Sequence, residues 1–252
     1  MRGKVYLVGA GPGDPELLTV RAQRILGEAD VVLHDELVPP EILALAGSPA
    51  QVHNVGKRCG RRAISQDEIH RRMVRYAREG LTVVRLKGGD PLIFGRAGEE
   101  MEALHRSRIE FEVVPGITSA LSAAAAAQIS LTDRRFASSL VLVSNHHSAE
   151  KTFPDWRNAM SSDATVVVYM PGADYRGLVA RLFAAGLQPQ TRCKVVSCAA
   201  SNQQQLHTTD LAGLADSAPL PAPALIIIGS VAGTENDRGA EQQPEFQSSW
   251  QP

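Results

Sequence analysis

The chain has 252 residues, 44% of them hydrophobic, which is enough for one large α/β core or two domains of about 100–120 residues each. With 21% charged residues and a formal net charge of −1, it lacks the charge excess of a disordered segment or of a generic nucleic-acid binder. Aromatics at 5% also argue against a base-stacking surface, and three cysteines without a CxxC pair argue against a disulfide framework or a structural zinc site.

The apolar run Val5–Val8 is too short for a signal peptide, and no run is long enough to span a bilayer. The expected location is therefore the cytoplasm. In chain order, Val5–Val8, Val31–Leu33, Leu81–Leu86 and Phe111–Val114 read as buried strands. Helical spacing runs over Leu17–Ala29, Glu41–Ala46, Ser65–Arg78 and Gly98–His105. Ser65 and Glu68 form the pattern of a capping box, and Gly80 marks the helix end. Such alternation predicts an α/β fold with a parallel-rich sheet covered on both faces. Past Val114-Pro115-Gly116 comes a small-residue helix, Ser119–Gln128. A second alternation follows: strands at Ser139–Val143, Thr165–Tyr169, Lys194–Val196 and Leu225–Ile228, with a helix at Tyr175–Ala185 ended by Gly186. We expect two α/β domains, residues 1–117 and 118–232, with an active-site cleft between them, and a polar, disordered tail over 233–252.

Gly9-Ala10-Gly11-Pro12-Gly13-Asp14 joins the first strand to the first helix, and glycines there let a ligand approach the backbone. A dinucleotide fingerprint would need glycine at position 14, where Asp14 stands and would repel a pyrophosphate. Gly88-Gly89-Asp90-Pro91 also follows a strand and belongs at the carboxyl edge of a sheet, where α/β proteins bind ligands. Asp90 suits an amino group or ribose hydroxyls; the alternative is an Asp capping the helix near Arg96. Lys57-Arg58-Cys59-Gly60-Arg61-Arg62 is a basic cluster in an otherwise neutral chain, suited to carboxylates. Arg71, Arg72, Arg75 and Arg78 read better as a solvated helix face.

Three segments resemble the tetrapyrrole methylase family, S-adenosylmethionine (SAM)-dependent enzymes. They are the first glycine loop with Leu17-Leu18-Thr19, the stretch Val84–Arg96 with Glu99-Glu100, and Val113–Ser119. The second has the form found in uroporphyrinogen-III C-methyltransferases, and the resemblance covers residues 3–230. It implies a two-domain α/β fold and methylation of uroporphyrinogen III at C2 and C7 to precorrin-2, for sirohaem or cobalamin. By the same resemblance, Pro12, Gly88, Gly89, Asp90, Ile93, Thr118, Ser119, Met170, Ala199 and Ala224 contact SAM. Asp35 is implied as proton acceptor and Lys57 as proton donor, while Arg58, Arg85 and Arg96 would grip substrate carboxylates. A homodimer is implied, with no metal, nucleic acid or membrane partner. The chain departs from the family pattern at His34, Arg62, Ser144–His147 and Ser197–Ser201, which leaves open a later corrin precursor as substrate or a relative that binds without turnover.

Overall fold

A computed structural model describes residues 3–56, 64–146, 156, 157, 160 and 163–233. The tail from 234 onwards, expected to be disordered, lies outside the described residues. The chain divides into two compact units, residues 1–119 and 120–252.

Unit 1 carries β1 (Lys4–Gly9), α1 (Val20–Gly27), β2 (Val31–His34), α2 (Pro40–Leu43), β3 (Gln51–Asn54), α3 (Gln66–Arg78), β4 (Thr82–Lys87), α4 (Ala97–Arg106) and β5 (Glu110–Val114). Its strands lie in the order β3-β2-β4-β1-β5, all parallel. Alternating side chains feed two cores. Val8, Val32, Val84 and Leu86 pack with Ile25, Leu26 and Ile42 of α1 and α2. Val5, Leu7, Leu33 and Val83 pack with Ile69, Met73 and Leu104 of α3 and α4. The sheet is thus covered on both faces, as the alternation predicts.

Helix ends follow local chemistry. Thr19 Oγ1 accepts from Ala22 N at 3.1 Å, so α1 begins at Val20 and is shorter than the periodicity suggested. Ser65 Oγ caps Glu68 N at 3.2 Å, but the Glu68 carboxylate turns to Arg71 and Arg72. The expected capping box is therefore half formed.

Unit 2 contains α5 (Ser119–Ala126), which starts at the last residue of unit 1, followed by β6 (Ser139–Ser144), β7 (Ala164–Tyr169), α6 (Tyr175–Ala184), β8 (Arg192–Ser197), β9 (Gln205–Asp210), α7 (Leu211–Asp216) and β10 (Ala224–Ile228). The order is β6-β7-β10-β8-β9, and only β6 and β7 pair in parallel. Three of its four ladders are antiparallel, and for one of them residues 198–204 join β8 to β9 too directly for a crossover. Val166, Val168, Val195, Ile226 and Ile228 pack on one face against Leu178 and Leu182 of α6 and Leu211 and Leu214 of α7.

Candidate functional site

In unit 1, β1 and β4 are neighbours, yet the chain leaves β1 towards β2 and leaves β4 towards β5. The two connections run to opposite sides, over opposite faces of the sheet. That makes the carboxyl ends of β1 and β4 a topological switch point, where loops diverge and leave a crevice for a ligand. Both glycine-rich loops arise there.

Gly11 and Gly89 bridge the two loops, with Gly89 N donating to Gly11 O at 2.7 Å and Gly11 N to Gly89 O at 3.2 Å. Both adopt left-handed backbone, φ 68° and 67°. A Cβ built on Gly89 would lie 3.6 Å from Ser119 Oγ and 3.8 Å from Ser119 N, so the glycine leaves a small hollow beside Thr118–Ser119. Asp90 ties the edge together: Oδ1 accepts from Leu92 N at 2.8 Å and Oδ2 from Gly116 N at 2.9 Å. It does not cap α4, whose N-terminal neighbour Arg96 lacks a side-chain cap. Asp14 is likewise a local cap, accepting from Glu16 N at 2.8 Å.

Asp35 follows β2 at the same edge of the sheet. Beside it sits a buried ionic quartet of Asp35, Arg85, Lys87 and Glu100. Glu100 is 0% exposed, Arg85 2% and Lys87 3%, and the Asp35 side chain is 33% exposed. Arg85 donates through Nη2 to Asp35 Oδ1, through Nε to Glu100 Oε1 at 2.9 Å, and through Nη1 to Leu33 O at 3.2 Å. Lys87 Nζ donates to Glu100 Oε1 at 3.1 Å and lies 3.8 Å from Asp35 Oδ2. Gln66, in the first turn of α3, adds a third donor to Glu100 Oε1 at 3.2 Å. Two cations offset two anions, the condition under which buried charge is tolerated. Burial, then the neighbouring Arg85, pushes the Lys87 ammonium below its ordinary value. Burial also opposes the Arg85 charge, but the carboxylates of Asp35 and Glu100 outweigh it and raise its value.

Arg85 was expected to grip substrate carboxylates; in the structure its fork meets Asp35, Glu100 and the backbone carbonyls of Leu33 and Leu86. Arg96 keeps partial access: half exposed, at φ 58°, it holds Glu99 at 2.8 and 2.6 Å. Lys57 and Arg58 lie outside the described residues. Glu100 and Lys87 had no assigned role. The signal was present, since the charges of Arg85 and Lys87 within the buried strand β4 demand partners.

Unit 2 gathers its expected residues at one sheet edge. Ser144 pairs with Tyr169, Leu225 with Tyr169, and Ala224 with Ser197, so the ends of β6, β7 and β8 meet the start of β10. Met170, Ala224 and Ala199 stand there, with Met170, Cys198 and Ala200 in left-handed backbone. Cys198 N donates to Pro223 O at 2.8 Å, so the loop that carries Ala199 is fixed to the strand that begins at Ala224.

Away from these edges, a cavity of about 640 Å³ opens between α3 and α4, lined by His70, Arg71, Arg75 and Arg106 among others. Three of its four arginines are paired with nearby acids, Arg71 with Glu68, Arg75 with Glu79 and Arg106 with Glu102. It is a solvated charged face. Among the described residues there is no metal-competent group of three His, Cys, Asp or Glu side chains, and no helix is long and apolar enough to cross a membrane.

The sequence profile of the Tetrapyrrole (Corrin/Porphyrin) Methylases matches residues 4–215. The chain belongs to the tetrapyrrole methylase family. It is 42% identical to a uroporphyrinogen-III C-methyltransferase of Paracoccus denitrificans over 96% of this chain and 85% of that protein. It is 47% identical to a siroheme synthase of Neisseria meningitidis serogroup B over 92% of this chain, but spans only about half (48%) of that longer protein. Among solved structures, the uroporphyrin-III C-methyl transferase of Thermus thermophilus complexed with S-adenyl homocysteine matches with TM-score 0.80 and 40% identity, over 91% of this chain and 99% of that one. The mixed α/β architecture with two sheets is that of this methylase.

Proposed function

We propose that the chain is a SAM-dependent C-methyltransferase of uroporphyrinogen III, adding methyl groups at C2 and C7 to give precorrin-2. The carrying observation is the 42% identity to the Paracoccus C-methyltransferase along 96% of this chain. Gly11 and Gly89, both in left-handed backbone at the carboxyl edge of the sheet, leave backbone there free of side chains for a donor to approach. By family resemblance, Pro12, Gly88, Gly89, Asp90, Ile93, Thr118, Ser119, Met170, Ala199 and Ala224 would contact the donor.

SAM supplies an electrophilic methyl on a sulfonium, so the protein's work is to position, exclude water and move one proton. An electron-rich pyrrole carbon attacks the methyl, and the methylated macrocycle then gives up a proton. Asp35 accepts that proton, aimed by Arg85 and backed by Glu100 and Lys87. Lys57, the proton donor that the resemblance implies, would shuttle a proton between ring positions without changing the net loss of one proton per methyl, and Arg58 and Arg96 meet the acetate and propionate arms. Leu37, exposed beside Gly88, offers apolar surface to the ring. The reading includes a homodimer located in the cytoplasm. Feeding of sirohaem or cobalamin synthesis is part of the same proposal, supported by likeness to siroheme synthases whose further length this chain does not span.

The test is anaerobic incubation with SAM and enzymatically made uroporphyrinogen III, followed by mass analysis. Gain of two methyl groups is expected. Retained SAM without methyl transfer would mark a binding relative, and methylation of a later corrin precursor alone would shift the substrate.

A further inference from the structure

Asn145, directly after β6, holds both sides of Met170. Its backbone N–H donates to Tyr169 O at 2.9 Å, and its side-chain Nδ2 donates to Pro171 O at 2.7 Å. Its Oδ1 accepts from Arg181 Nη2 of α6 at 2.7 Å. A carbonyl only accepts and a guanidinium only donates, so one amide orientation alone satisfies both neighbours. Met170, between the two anchored carbonyls, has φ 51° and is 44% exposed. Left-handed backbone is costly for a residue with a side chain, and it persists where surrounding bonds over-determine it. Here two of those bonds come from one asparagine, braced by an arginine on a helix whose Leu178 and Leu182 sit in the core.

We propose that Asn145 and Arg181 are positioning residues for the methyl donor, holding the Met170–Pro171 turn in the shape that receives it. This rests on the assignment of Met170 to the donor site. Without the Nδ2 bond the Pro171 carbonyl turns to water, the φ of Met170 relaxes, and the side chain leaves its place. Neither residue touches the reacting atoms.

The experiment is calorimetric titration of the full chain with S-adenosylhomocysteine, with Met170→Ala as reference. Asn145→Ala should weaken binding about tenfold, the value of one well-placed hydrogen bond. Asn145→Asp keeps the acceptor for Arg181 but sets a carboxylate against the Pro171 carbonyl, and should do no better. Arg181→Met should weaken binding about threefold, and the double variant should be no weaker than Asn145→Ala, since both act through one amide. In steady state, KM for SAM should rise more than KM for the tetrapyrrole, a split that a lower folded fraction does not produce. Unchanged affinity in Asn145→Ala, with a loss in Met170→Ala, overturns the clamp. Unchanged affinity in both removes Met170 from the donor site and the clamp with it.

Discussion

Asp35, just past β2, is ion-paired with Arg85 of β4, and the same guanidinium reaches Glu100 in α4 at 2.9 Å. One buried arginine therefore fixes the direction of the carboxylate proposed to take the proton. Arg85→Leu should lower kcat about a hundredfold, the scale of a displaced general base, while S-adenosylhomocysteine affinity changes less than twofold. Arg85→Lys should not restore the rate, because an ammonium cannot serve Asp35, Glu100 and Leu33 O from one planar fork. Tetrapyrrole affinity lost in step with kcat would return Arg85 to the substrate-gripping role.

Glu100 accepts from Arg85, Lys87 and Gln66 through a single oxygen. Glu100→Gln leaves two buried cations facing Asp35 alone and should cost about 3 kcal/mol of stability in urea unfolding. Lys87 gives a pH signature of known sign. Its value in the folded protein lies below the ordinary 10.5, with burial the first cause. The unfolded chain therefore holds this proton more tightly. Between the lowered value and 10.5, Lys87 adds stability as pH rises. The stability difference between the native chain and Lys87→Met should shift in favour of the native chain across that window, and a flat difference would contradict the shift.

The sequence displayed the buried strands clearly, because β1, β2, β4, β7 and β10 are apolar runs closed by turns. It hid β3 (Gln51–Asn54) and β9 (Gln205–Asp210). Both are edge strands with mostly exposed or half-exposed residues, so no hydrophobic pattern marks them. Strand direction in unit 2 was equally hidden, since a run of valines and isoleucines is alike in parallel and antiparallel ladders. The glycine loops and Asp35 were visible as motifs. The partners of Arg85 were hidden for a plain reason: a motif shows that an arginine is present but not which carboxylate it faces. Only the position of Glu100 on the inner side of α4 decides that.

Asp90 tests whether the loop edge serves the donor. Its two oxygens receive Leu92 N and Gly116 N, and each keeps a lone pair for a ligand. Asp90→Asn would set an amide hydrogen against one of these N–H groups. S-adenosylhomocysteine affinity should fall at least about tenfold in Asp90→Asn and further in Asp90→Ala, read by calorimetry. Wild-type affinity in both variants would remove Asp90 from the donor site.

The crossing of the loops makes a sharper demand on Gly116. A Cβ there would lie 2.4 Å from Gly89 O and 2.8 Å from Gly9 Cα, both backbone atoms that cannot swing aside. Gly98, in the first turn of α4, has nothing within 4 Å of the same added atom. Gly116→Ala should therefore destabilise the chain by about 3 kcal/mol through overpacking. Gly98→Ala should be neutral or gain about 0.5 kcal/mol from reduced backbone freedom in the unfolded state. Chemical denaturation of the two variants side by side separates crowding from a general intolerance of alanine. Equal losses in both would mean that the contact between β1, β4 and the turn after β5 does not set the loop geometry.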